Sequence, residues 1–173
     1  MNYRHFIITV LIGLGLLGAF SDTIFAAYTW TAIGSDGTPD DANREYVQYT
    51  GTTVELKPSF LGTVIMRYNV DEADLHDDRV LVEFRYRDNG PGARVVVTLK
   101  EHNFETGAVT DVESYDSNDH SQSSGFQEGS FITDVTYTCN FYNNAYYVEV
   151  KLQRTASDGR PGLSQIRMSW IIC

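Results

Sequence analysis

Thr63-Val64-Ile65-Met66-Arg67-Tyr68-Asn69-Val70 and Val80-Leu81-Val82-Glu83-Phe84-Arg85-Tyr86-Arg87 are the two stretches on which the reading of this chain turns. In the first, Val64, Met66, Tyr68 and Val70 occupy every second position. In the second, Val80, Val82, Phe84 and Tyr86 do so, with Glu83, Arg85 and Arg87 between them. Strand side chains alternate between two faces, so each stretch reads as a strand with one dry and one wet side. A helix would repeat its apolar residues three and four apart, and no long segment after the first part of the chain does so.

The same alternation extends outward on both sides. Arg94 to Glu101 turns Val95, Val97 and Leu99 to one face, and Ala108 to Tyr115 is its partner across the short Asn103–Gly107 connection. Phe131, Val135, Tyr137 and Cys139 form one side of a further strand. Tyr146, Val148, Val150 and Leu152 alternate with Tyr147, Glu149, Lys151 and Gln153, and Ile166, Met168, Trp170 and Ile172 with Gln165, Arg167 and Ser169. With Tyr28–Ile33 and Thr53–Lys57, the total is about nine strands. Gly34–Asp41, Asp71–Asp78, Asp88–Gly92, Asp116–Gly129 and Ser157–Gly162 are rich in turn-forming residues. The Ser- and Gln-rich Asp116–Gly129 stretch reads as a mobile surface loop. Short strands without a helix to cross over a sheet predict an all-β antiparallel sandwich of jelly-roll type.

Composition narrows the function classes. The chain has 173 residues, 42% of them hydrophobic, which fits one domain with a real core. Thirteen Lys and Arg stand against 23 Asp and Glu, a formal charge of −10 that argues against nucleic acid as a partner. Two cysteines are too few for a four-thiolate zinc site or an iron–sulfur cluster. Residues 1–26 read as a signal peptide: Arg4 precedes the uncharged run Phe6–Phe20, and small residues lead to Ala27. That run is shorter than the roughly 20 residues of a membrane span. The expectation is therefore a single domain over 27–173, secreted to the exterior or the periplasm, with no membrane span after cleavage. In an oxidising compartment Cys139 and Cys173 read as a disulfide.

The stretch Arg85-Tyr86-Arg87-Asp88-Asn89-Gly90-Pro91-Gly92-Ala93-Arg94-Val95-Val96-Val97, with Asn103 to Gly107 after it, resembles segments of uncharacterised exported bacterial proteins. The resemblance implies an exported β-sandwich and adds no site.

Four constellations carry chemistry. Asp71, Glu72, Asp74, Asp77 and Asp78 crowd one turn, and Asp71, Asp74 and Asp78 could supply part of the oxygen shell that calcium takes. The alternative is a solvated turn, and no cofactor is required. His76, His102 and His120 share no strand or helix spacing and read as surface residues. Carboxylates are too numerous to single out a glycosidase pair, and no Gly-x-Ser-x-Gly elbow is present, so no catalytic residue is assigned. Tyrosine is abundant, at 11 residues. Rings exposed beside amides and carboxylates hold sugars by stacking and hydrogen bonding, which selects Tyr49, Tyr142 and Tyr147 as ligand contacts. The expected function is a non-catalytic module for an extracellular glycan or surface polymer. The alternative is a structural or adhesive protein acting by self-association.

Overall fold

A computed structural model describes residues 28–71, 79–134 and 139–171. The expected signal peptide at 1–26, Asp74, Asp78 and Cys173 lie outside the described residues.

Alternating apolar residues form strands where they face a common core, and the described residues hold eleven strands. They are β1 (Tyr28–Ile33), β2 (Thr38–Pro39), β3 (Val47–Thr50), β4 (Thr53–Leu56), β5 (Gly62–Val70) and β6 (Arg79–Asp88). The others are β7 (Ala93–Asn103), β8 (Val109–Asp116), β9 (Ser123–Ile132), β10 (Asn144–Arg154) and β11 (Gly162–Ile171). One antiparallel sheet runs β3-β4-β11-β6-β9, with β1 also paired to β11; the other runs β2-β5-β10-β7-β8. They are called here the β6 sheet and the β10 sheet.

The pairings nest. β7 pairs with β8, β6 with β9, β5 with β10 and β4 with β11, and successive pairs fall alternately in the β10 sheet and the β6 sheet. This is a long two-stranded ribbon folded over on itself, the jelly-roll arrangement. Its inner faces supply the core: Val64, Met66 and Tyr68 from β5; Val80, Val82, Phe84 and Tyr86 from β6; Val95, Val97 and Leu99 from β7; Val148, Val150 and Leu152 from β10; and Ile166 and Met168 from β11.

Two expectations change. The strand count rises because β2 and β3 are too short to show alternation. The Asp116–Gly129 loop is also largely strand: after a single helical turn at Ser117–Asp119, β9 begins at Ser123. Among the described residues β9 is an edge strand paired with β6 alone, so it buries little on either side and needs no apolar period. Phe131, expected in a strand ending at Cys139, belongs to β9, and residues 135–138 lie outside the described residues.

Candidate functional site

Alternation places Glu83, Arg85 and Arg87 of β6 on the face of the β6 sheet away from the core. Register then fixes their neighbours. Arg85 lies opposite Glu128 of β9 on one side and Gln165 of β11 on the other, and Glu83 lies between Ser130 and Arg167 in the same way.

Most charges on this face are already spent. Arg167 Nε is 3.3 Å from Glu83 Oε2. Arg87 Nη2 is 2.7 Å from Glu55 Oε2, its Nε donates to the Arg160 carbonyl at 2.9 Å, and its guanidinium stands 5.2 Å over the Phe126 ring. Three groups differ. Among the described residues the Arg85 guanidinium and the Glu128 carboxylate make no ion pair, and the Gln165 amide makes no hydrogen bond, although all three lie on adjacent strands.

Those groups line a trough with two hollows. One, of about 350 Å³, is bounded by Glu83, Arg85, Glu128, Ser130, Gln165 and Arg167, with Phe84, Tyr115, His120 and Gly129. The other, of about 400 Å³, is bounded by Ile33, Thr52, Thr53, Phe126 and Ser164, and again by Arg85 and Gln165. Arg85 and Gln165 thus join the hollows into one path across the strands.

The aromatic side of the first hollow is held rigidly. His120 stacks on Tyr115 with centroids 4.2 Å apart and planes 7° from parallel. The Tyr115 and Tyr86 hydroxyls are 2.7 Å apart, and Gln127 Nε2 donates to Tyr86 at 2.8 Å. Burial, and then the bond to Tyr86, pushes the Tyr115 hydroxyl well above the ordinary tyrosine range, so it stays a neutral partner. Gly129 leaves room beside this group, since a Cβ there would meet the Phe84 ring at 2.5 Å.

The outward face of the β10 sheet contrasts with this one, because its charges neutralise one another. The buried Glu149 carboxylate sits 3.5 Å from Arg67 Nε and 3.7 Å from both Lys100 Nζ and Lys151 Nζ. Arg67 also pairs with Asp40, Lys100 with Asp111 and Arg94 with Asp116.

The residues singled out from sequence fall elsewhere. Tyr49 is on β3 opposite Val54, Tyr142 is in the turn before β10, and Tyr147 is half-buried on the β10 sheet between Asn69 and Lys100. The fold does not bring the three together, and none lines the trough. Asp71 is exposed after β5, but Asp74 and Asp78, the other two of the calcium set, are outside the described residues. In the Gly34–Asp41 turn, Asp36 accepts the Ile33 N–H at 3.1 Å and Asp40 holds Arg67. Cys139 is buried at the core margin, where burial pushes its thiol up to about 12, and its expected partner Cys173 lies outside the described residues. Sequence reasoning had placed Arg85 and Gln165 on wet faces. It missed Glu128 and Phe126 because both stood in the supposed loop.

No family model matches the chain, and no curated protein matches it. Solved structures give matches of low identity. A C-terminal carbohydrate-binding module (CBM6) of a marine laminarinase from Zobellia galactanivorans is similar at 16% identity and a TM-score of 0.48, over 81% of this chain and 98% of that one. A module of Cellvibrio mixtus lichenase 5A in complex with cellotriose is similar at 12% identity and a TM-score of 0.47, over 84% and 100%. The xylan-binding CBM22-1 domain of Paenibacillus barcinonensis Xyn10C is similar at 8% identity and a TM-score of 0.48, over 86% and 97%. At such scores these likenesses carry no weight for what this chain binds, which must come from its own side chains.

Proposed function

We propose that this chain is an exported, non-catalytic glycan-binding module that holds a neutral polysaccharide in the trough of the β6 sheet. The observation that carries the reading is the unspent set Arg85, Glu128 and Gln165 at the junction of the two hollows. A sugar hydroxyl both donates and accepts. It is met by a donor-only guanidinium, an acceptor-only carboxylate and an amide that does both. Arg85 and Glu128 also cancel in charge. A neutral ligand suits that balance better than a polyanion, which the overall charge of −10 would repel. Ile33 and Phe126 supply the apolar walls that the carbon face of a sugar ring needs. Export is inferred from the leader-like run at 1–26. The reading needs no metal.

The test is a glycan array of neutral and uronic-acid polymers, followed by calorimetry on the best neutral oligosaccharide. A hydrogen bond to a charged group contributes about 1.5–3 kcal/mol, so Arg85→Ala and Glu128→Ala should each weaken binding roughly tenfold or more. Retention of no glycan, or unchanged affinity in both variants, would contradict the proposal.

A further inference from the structure

At one end of the β10 sheet two turns lie side by side, and each presents an aromatic ring to solvent. Phe104, in the β7–β8 turn, is 58% exposed, and Tyr142, in the turn before β10, is 92% exposed. Covering such a ring completely is favourable by roughly 1.5–3 kcal/mol, so two exposed rings on neighbouring turns hold binding energy that a ligand could use.

The turns are tied to one another and pinned internally. The Phe104 N–H donates to the Asn143 carbonyl at 2.9 Å, and Asn103 Nδ2 donates to Asn144 Oδ1 at 2.9 Å. Asn103 Oδ1 accepts from the Glu105 N–H at 3.0 Å, the Thr106 N–H at 2.9 Å and the Thr106 hydroxyl at 3.0 Å. Gly107 closes that turn with φ of +69°, in the left-handed region that favours glycine. In the other turn, Asn140 Oδ1 accepts from the Tyr142 N–H at 3.1 Å and the Asn143 N–H at 3.4 Å. The His102 ring stands edge-on to Phe104 at 6.2 Å. Both backbones are therefore ordered before any ligand arrives, which removes a large part of the cost of binding.

We propose that Phe104 and Tyr142 form a second glycan contact, which stacks on pyranose rings of a polysaccharide surface independently of the trough. Size selects this class of occupant. An aromatic residue buries about 150–250 Å², so the two rings offer at most about 500 Å². A stable protein interface takes roughly 800 Å² from each partner, so a second copy of the chain is too large a claim for this patch. An anionic lipid surface is opposed by the charge of −10. A sugar ring has a flat carbon face of the right extent and keeps its hydroxyls in water.

A pair of exposed rings gains most from a surface that offers many sugar rings, and where the trough also holds the polymer the two contacts reinforce each other, so the contact should show on polymer surfaces and not on short oligosaccharides. The probes are suspensions of cellulose, insoluble xylan, mannan and chitin, with depletion of the mature protein as the readout. The double variant Phe104→Ala, Tyr142→Ala should lose roughly tenfold in retention while its affinity for short soluble oligosaccharides stays within about twofold. Phe104→Tyr with Tyr142→Phe keeps both rings and should keep retention. An unchanged melting temperature confirms that the exposed substitutions leave the fold intact. Wild-type retention by the double alanine variant, or no retention of the wild-type protein on any suspension, would overturn the proposal. Arg85→Ala separates the two sites. If only the trough reading fails, that variant is retained like wild type while the double alanine variant still falls.

Discussion

Two arginines on outward faces meet opposite fates. Arg94, on β7, has its Nε 3.0 Å from each oxygen of Asp116 across the β7–β8 pair, whereas Arg85 on β6 has no ion pair among the described residues. The Arg94 bonds, helped by the Asn118 N–H, hold the Asp116 carboxyl below the usual carboxylate range. The folded state then binds fewer protons than the unfolded chain as this group titrates. The pair's contribution is fully present above the ordinary Asp value of about 4, and is lost as pH falls through the depressed folded value. Arg94→Met should therefore reduce stability at pH 7 by more than at pH 2.5, and should move the Asp116 titration, followed by carboxyl NMR, up toward its ordinary position. A titration left in place would rule the pairing out as the cause. Arg85's outward orientation was legible in the run Val80–Arg87. Its lack of a partner was not, because that depends on which residues β9 and β11 set opposite it.

At the level of elements, alternation located β5, β6, β7 and β10 to within two residues of their ends, since each buries a full face in the core, whereas β11 begins at Gly162, three residues before its alternation starts. Alternation failed for β9. Ser123-Ser124-Gly125-Phe126-Gln127-Glu128-Gly129-Ser130 has the composition of a loop, and as an edge strand it has no second neighbour to demand otherwise. Missing β9 also hid half of the trough. Gly129 is the residue by which β9 fits. A Cβ would lie 2.5 Å from the Phe84 ring and 3.0 Å from the Tyr86 ring. Gly129→Val should cost about 1–3 kcal/mol, as overpacking does in cores, and lower the urea midpoint without changing the slope much. A variant within about 0.5 kcal/mol of wild type would show that β9 does not pack as described.

Across the whole molecule, the class of fold was readable from sequence and the pairing scheme was not. Alternation says that a strand has a dry face; it does not say which strand lies beside it. The nested order, from β7–β8 at the centre to β4–β11 at the outside, sets β6 between β9 and β11 and so brings Glu128 and Gln165 to Arg85 from distant parts of the chain. The same order sends Tyr49, Tyr142 and Tyr147 to different places, and none of them lines the trough. Exposed tyrosine is a property of single residues, whereas a set of unsatisfied partners belongs to the assembled sheet.

Whether this assembled face holds a neutral glycan is decided by amide NMR of the protein titrated with a neutral hexasaccharide from the array. Shifts should cluster at Glu83–Arg87, Phe126–Ser130 and Ser164–Arg167, the segments that line the trough. Saturable shifts that leave those three segments unmoved would contradict glycan binding in the trough.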